Sequence, residues 1–262
     1  MKPFVVLMYH GLYDSAEEWQ QIPAEEKPYA VSATQFREHL QAIQDAGAHV
    51  LTQQELEHAA GVADQPYPVL ITFDDGDKGW IRHALPALQA FGYQGTFFVT
   101  SDLIDNLPHF CNWDDIRALA DAGMNVQSHG RTHRFLADLS ADDCRQEFTD
   151  SKRVLEQATG KTVTAISFPG GRFQMRDVAI GQEAGFRFFH TSKLGLNDPA
   201  NGMQLLKRFA VRHNTGPKQI HNWVTAHQPT ILRQVLLATL KDGIKTLLGN
   251  AGYHRLYRLI KG

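Results

Sequence analysis

Asp74 and Asp75 stand side by side at the end of an apolar run, Val69-Leu70-Ile71-Thr72-Phe73, with Gly76 directly behind them. The run has strand length and β-branched character and is bounded by Pro68 and Gly76, which reads as a buried strand. Neighbouring side chains on a strand point to opposite faces, but a turn at Gly76 lets both aspartates converge on one pocket. Carboxylates that close repel, so one holds a proton unless a cation sits between them. Asp-Asp-Gly is also ordinary turn chemistry. A second group carries the reading further: Ser128-His129-Gly130-Arg131-Thr132-His133 sets two imidazoles four residues apart, straight after another strand-like run. Asp75 with His129 and His133 makes an open three-ligand metal site that leaves a coordination position for water or substrate. One divalent ion is expected, zinc by ligand type, while iron, cobalt or nickel tolerate the same set. Such an ion lowers the pKa of a water to about 7 and polarises a carbonyl. The chain has 13 histidines, so no single one is informative. The conjunction of ligand types with strand ends is.

The elements that must hold these groups alternate. Strands are expected at 4–9, 48–51, 69–73, 95–100, 124–127, 163–168, 186–190 and 208–212. Helices are expected at 34–46 (closed by Gly47), 52–60 (opened by a Thr52/Glu55 capping box), a segment striped by Ile81, Leu85, Leu88 and Phe91, a helix from the Asn112 cap to Ala122, 140–159 and 175–184. Residues 12–32, with Pro23 and Pro28, read as a long loop. Alternation means parallel strands with crossover helices. Seven or eight units predict an α/β fold, a distorted (β/α)7–8 barrel, with an open doubly wound sheet as runner-up. A barrel requires functional residues at the strand ends. His10, Asp74-Asp75, Ser128-His129, Pro169-Gly170 and His190 all satisfy that.

With 262 residues the chain buries enough surface to need no staples. Its formal charge of −2 argues against nucleic acid as the main partner. Cys111 and Cys144 form no metal or disulfide pattern and read as buried thiols. The apolar run at 4–8 is too short for a signal segment and nothing reaches transmembrane length, so the expected location is cytoplasmic.

Thr72-Phe73-Asp74-Asp75-Gly76, the His129/His133 pair and Phe168-Pro169-Gly170-Gly171 together resemble successive motifs of the NodB-homology polysaccharide deacetylases, carbohydrate esterase family 4. The resemblance runs from residue 4 to about residue 212 and is densest from 69 to 133. It implies a distorted (β/α) barrel in which Asp74 is the general base and Asp75, His129 and His133 hold the metal. It also implies a histidine acid, usually late in the chain within Leu-x-x-His. Here Leu7-Met8-Tyr9-His10 spells that motif at the N-terminus, which is similar to the circularly permuted poly-β-1,6-N-acetylglucosamine deacetylases, so His10 is the expected acid. Ser167 stands where many relatives carry an arginine that braces the base. Arg208 resembles the arginine used instead by the permuted subgroup, with Arg172 as the alternative. Gly130 replaces the Ser or Thr common after the first histidine, which leaves the stiffness of that loop open. The implied reaction is hydrolytic N-deacetylation of an N-acetylated sugar, with Asp74 deprotonating the attacking water, the Gly170 N–H and the metal stabilising the oxyanion, and His10 protonating the leaving amine. Hydrolysis of another non-peptide C–N bond, of ureide or imide type, is the alternative.

The barrel is expected over 1–215 and helices over 216–262. Leu232, Leu236, Leu240, Ile244 and Leu247 form a helical stripe, and from Ile231 onward six basic residues face one acid, Asp242. This reads as a helix on the barrel wall, or as a basic amphipathic segment at 231–262 resting on the inner face of an anionic membrane near lipid-linked glycan precursors. The sugar, its linkage and the oligomeric state are not legible.

Overall fold

Parallel strands build the frame. The computed structural model describes residues 3–57, 65–202, 204–237 and 239. Its elements run β1 (Val5–Tyr9), β2 (Leu12–Tyr13), α1 (Ala16–Gln21), β3 (Val31–Ser32), α2 (Ala33–Asp45), α3 (Gln53–Glu57), β4 (Val69–Asp75), α4 (Leu85–Phe91), β5 (Thr96–Val99), α5 (Trp113–Asp121), β6 (Asn125–Ser128), α6 (Ala141–Thr159), β7 (Ala165–Ser167), α7 (Met175–Glu183), β8 (Phe188–His190), β9 (Leu205–Leu206), β10 (Phe209–Ala210) and α8 (Pro217–Val224). The main sheet has the order β10-β1-β4-β5-β6-β7-β8-β9, and every pair in it is parallel. β9 pairs with β8 and β10 pairs with β1, yet only Lys207 and Arg208 separate them in the chain. One segment therefore bridges the two edges and curls the sheet into the expected distorted barrel.

Side-chain alternation sorts the strands into an inside and an outside. Phe4, Val6, Leu70, Phe98, Ala165, Phe188 and Leu206 form a buried core cluster inside. On the same parity above them come Asp74, Ser167 and His190, by the registers Asp74↔Phe98, Ala165↔Phe188 and Ser167↔His190. The opposite face of β4 and β5 is covered by aromatics. Phe73 stacks on Phe97 with centroids 4.5 Å apart, and Tyr9, Phe36 and Trp80 pack around them. This aromatic wall anchors the strand that carries the aspartates.

Asn112 and Ser140 open their helices where the sequence sets them, and Ser32 caps a helix that starts one residue before the expected 34; each accepts from a backbone N–H three residues on. The Thr52/Glu55 box is reciprocal, as expected, and the reading of that helix beyond residue 57 lies outside the described residues. Three expectations change. The segment 48–51 makes only one bridge, Val50↔Val69, because β5 takes over that edge of β4 from Thr72 onward. The helix striped from Ile81 opens as a π-helical turn, Trp80–Ala84, since Pro86 has no N–H to continue a regular ladder. The supposed loop 12–32 contains α1, capped by Ser15, and the short β2–β3 pair. The chain divides into compact units at Met1–Ala226 and His227–Gly262. The first reaches past the boundary expected at residue 215, because α8 packs on α2. In the second, 228–237 are helical and Leu232 and Leu236 are exposed; Leu240, Ile244, Leu247 and the basic residues after 240 lie outside the described residues. Among the described residues no helix is long and apolar enough to cross a membrane.

Candidate active site

Because all strands of the sheet run one way, their C-terminal ends deliver His10, Asp74, Asp75, His129 and Gly170 to a single cavity of about 330 Å³. The turn that joins the two aspartates begins one residue earlier than the sequence indicates. Asp75 itself has φ 91°, a left-handed value unusual for a residue with a side chain, and Gly76 follows at φ 133°. A Cβ on Gly76 would lie 3.0 Å from Cδ1 of Ile104 and 3.2 Å from Cδ1 of Phe110. This backbone lets Asp75 leave the strand's alternation and face the cavity with Asp74.

Nε2 of His129 and Nε2 of His133 each lie 3.2 Å from Oδ1 of Asp75, and all three ligand atoms fall within 4.8 Å of one another. The Nδ1–H of His129 donates to the Ser167 carbonyl at 2.8 Å, which fixes the tautomer and leaves Nε2 its lone pair. Two imidazole nitrogens and a carboxylate oxygen, converging on one point in a solvent-reachable cavity, fit a borderline divalent cation with an open position. Burial alone would raise the pKa of Asp75; the imidazoles of His129 and His133 beside it, with His10 nearby, hold it well below the usual carboxylate range. Burial likewise opposes charge on His133, and Asp75 overcomes it and raises the imidazole.

Asp74 has different partners. Arg208 donates Nη1–H to Oδ1 and Nη2–H to Oδ2, both at 2.8 Å, and the Ser167 hydroxyl donates to Oδ2 at 2.9 Å. Arg208 is itself buried, donating Nε–H to the Thr191 carbonyl and Nη2–H to Ser167 Oγ. Against the penalty of burial, the Arg208 charge brings Asp74 down to about 2. Arg172, the alternative brace, is exposed and lies 4.5 Å over the Phe135 ring. Asp74 stands 4.0 Å from Nε2 of His129.

His10 tilts against Tyr29 at 4.8 Å, and Trp80 Nε1–H fixes its backbone carbonyl at 2.9 Å. Its Nδ1 is buried without a protein partner. Burial lowers its pKa, with Asp75 and Asp74 pulling it upward. Gly170 sits at φ 58° in the turn Pro169–Gly171, where a Cβ would approach Cε1 of Phe135 to 2.4 Å. His190 is fully buried against Phe98 and does not line the cavity. Cys111 and Cys144 are buried free thiols.

Several residues of the site go beyond what the sequence singles out. Ser167, buried beneath the cavity where many relatives carry an arginine, shares Asp74 with Arg208. Glu25, Glu26 and Tyr29 come from 12–32, and Ser192 and Arg212 from the chain after β8 and β10. Burial and the nearby Asp75 and Asp77 push Glu26 up to about 7. A carboxylate pair between Pro23 and Pro28, one connection away from a strand end, was the available signal.

Comparison with known proteins agrees with this frame. Residues 62–189 match the polysaccharide deacetylase family. YxkH of Bacillus subtilis (strain 168), whose name places it among the polysaccharide deacetylases, is 27% identical over 208 residues, covering 79% of this chain and 70% of its own. The Streptococcus pyogenes deacetylase PplD, solved in complex with acetate, superposes with a TM-score of 0.73 at 25% identity, over 84% of this chain and 96% of that one. IcaB from Ammonifex degensii has the same fold, with a TM-score of 0.73 at 24% identity over 86% and 98% of the two chains. Sequence match, superposition and the cluster at the strand ends agree: the chain carries a polysaccharide deacetylase domain of the NodB type, carbohydrate esterase family 4.

Proposed function

We propose that the protein is a metal-dependent N-deacetylase that hydrolyses the acetamide of an N-acetylated sugar within a glycan and releases acetate. The observation that carries this is the separation of two neighbouring carboxylates into two jobs: Asp75 joins His129 and His133, while Asp74 is held apart by Arg208 and Ser167. A divalent cation bound by Asp75, His129 and His133, zinc by ligand type with iron, cobalt or nickel accommodated, would polarise the carbonyl and acidify a water. Asp74, ionised and aimed by a two-pronged Arg208, accepts the proton of the attacking water. Its low pKa makes it a weak base but keeps it charged throughout the working range. As the water oxygen bonds the carbonyl carbon, the Gly170 N–H faces the oxygen that gains charge. The C–N bond then breaks, and the nitrogen takes a proton from His10 to leave as a free amine. Burial makes His10 hold its proton loosely while the two aspartates still favour the charged form, the compromise a general acid requires.

Acetate, the bound molecule of the PplD structure, is the product of this reaction. The test is acetate release from a panel of N-acetylated glycans, with metal content measured on the same sample. Asp74→Asn and His10→Ala are expected to lower turnover by two or more orders of magnitude with metal content intact. Near-normal turnover in either variant rejects its assigned role. Hydrolysis of a small cyclic amide, with none of acetylated glucosamine oligomers, would replace the substrate class.

A further inference from the structure

The ligand loop is held from behind. From His129 to His133 the backbone takes two left-handed residues, Gly130 at φ 81° and His133 itself at φ 62°. A histidine in that conformation persists only where its surroundings over-determine it. The intervening N–H groups of Arg131 and Thr132 point away from the cavity toward α6, where one carboxylate oxygen, Oε2 of Glu147, accepts both at 2.8 and 2.9 Å. The other oxygen, Oε1, accepts the Thr132 hydroxyl at 2.6 Å. Glu147 is buried, so these three donors stand in for the water it has lost. Gly130 completes the arrangement: its N–H donates to Ser128 Oγ at 3.0 Å, and a Cβ there would come 3.3 Å from Glu147 Oε2. Glycine after the first histidine therefore leaves space for the clamp, and the stiffness that the sequence left open comes from α6.

We propose that Glu147 is a positioning residue for the metal site, setting the angle at which His133 meets Asp75 and His129 by pinning the two peptide groups before it. The inference rests on the reading of Asp75, His129 and His133 as metal ligands. It assigns Glu147 no contact with substrate, and it requires acceptor atoms, not negative charge. A glutamine should therefore serve: its amide oxygen can accept both backbone N–H groups, and its NH2 can donate to Thr132 Oγ, since a hydroxyl also accepts.

The test uses the full chain stripped of metal by chelator and titrated with Zn²⁺ against a chromophoric competitor, at a temperature where circular dichroism shows each variant folded. Wild type should bind one Zn²⁺. Glu147→Ala and Glu147→Asp, which delete or withdraw the acceptor, should bind it roughly 10- to 100-fold more weakly, and Glu147→Gln should restore most of the affinity. Co²⁺-loaded samples should show the same order in the ligand-field spectrum, with the Ala and Asp variants displaced from wild type. A residue that merely stabilises the fold would lower the melting temperature and leave the affinity of the folded protein unchanged; that result overturns the inference while sparing the metal site. Should Glu147→Ala fail to fold, the Asp variant decides by the same criterion. A wild-type chain that binds neither Zn²⁺ nor Co²⁺ removes the metal reading and this inference with it.

Discussion

Replacing Arg208 with Met tests the pair at the centre of the site. The two Nη–Oδ hydrogen bonds are 2.8 Å long, and both side chains are nearly inaccessible to solvent. Removing one partner of a buried pair leaves an uncompensated charge and costs about 3–5 kcal/mol. At about 2–4 °C per kcal/mol for a chain of this size, the melting temperature should fall by roughly 6–20 °C. The pH dependence separates this cause from lost packing. Asp74 has a folded pKa of about 2 against an ordinary 3.8, so its ionisation contributes about 2 kcal/mol above pH 4, lost as the pH falls toward 2. Without Arg208 burial dominates, the pKa rises above 3.8, and the unpaired carboxylate opposes folding at neutral pH until a proton relieves it. The difference between wild type and variant should therefore be widest at pH 7 and narrow toward pH 4. Urea unfolding at both values, with chelator present throughout, measures it. A gap below about 1 kcal/mol at pH 7, or one equal at the two pH values, would refute the reasoning. Arg208→Lys should fall between, because a point charge cannot span both oxygens.

Three further outcomes are expected. His39, buried and pushed down to about 4, donates Nε2–H to the Thr215 carbonyl and accepts from Tyr9 as a neutral ring. Its contribution is complete above pH 6.5 and is lost as the pH falls to 4, about 3 kcal/mol in all; His39→Gln should flatten the urea-midpoint profile across that window. Gly170→Ala places a side chain at φ 58° and against Phe135, so the melting point should drop by the equivalent of roughly 1–2 kcal/mol and kcat should fall more than KM changes, as steady-state kinetics would record. Exposed Leu232 and Leu236, with six basic residues against one acid from Ile231 onward, should make binding to anionic liposomes depend on residues 230–262; co-sedimentation unaffected by their deletion excludes that contact.

The cluster of Asp75, His129 and His133 was legible because Asp75 ends one strand, His129 directly follows another and His133 lies four residues beyond it, and in a parallel barrel every strand ends on the same side. Asp74 and Arg208 could be paired only by resemblance, since 134 residues separate them and no local pattern joins them. Ser167 was hidden for a different reason: serine at a strand end is unremarkable until an arginine arrives from elsewhere. The π-helical turn before Pro86 shows a breaker changing the helix type where a stripe of apolar residues predicts an unbroken one. Residues 12–32 hid short elements because α1 and the β2–β3 pair are stabilised by what they touch, not by their own length.

The seam between β8 and β1 is stitched by Leu205–Ala210, with Arg208 at its midpoint. A ribosome supplies that stitch only after Asp75, His129 and His133 have been made. A nascent or truncated chain that stops short of it would own the trio of Asp75, His129 and His133 and no guanidinium to tame the adjoining carboxylate. Hydrolytic competence should thus arrive last and all at once, as the same stroke that fastens the cylinder.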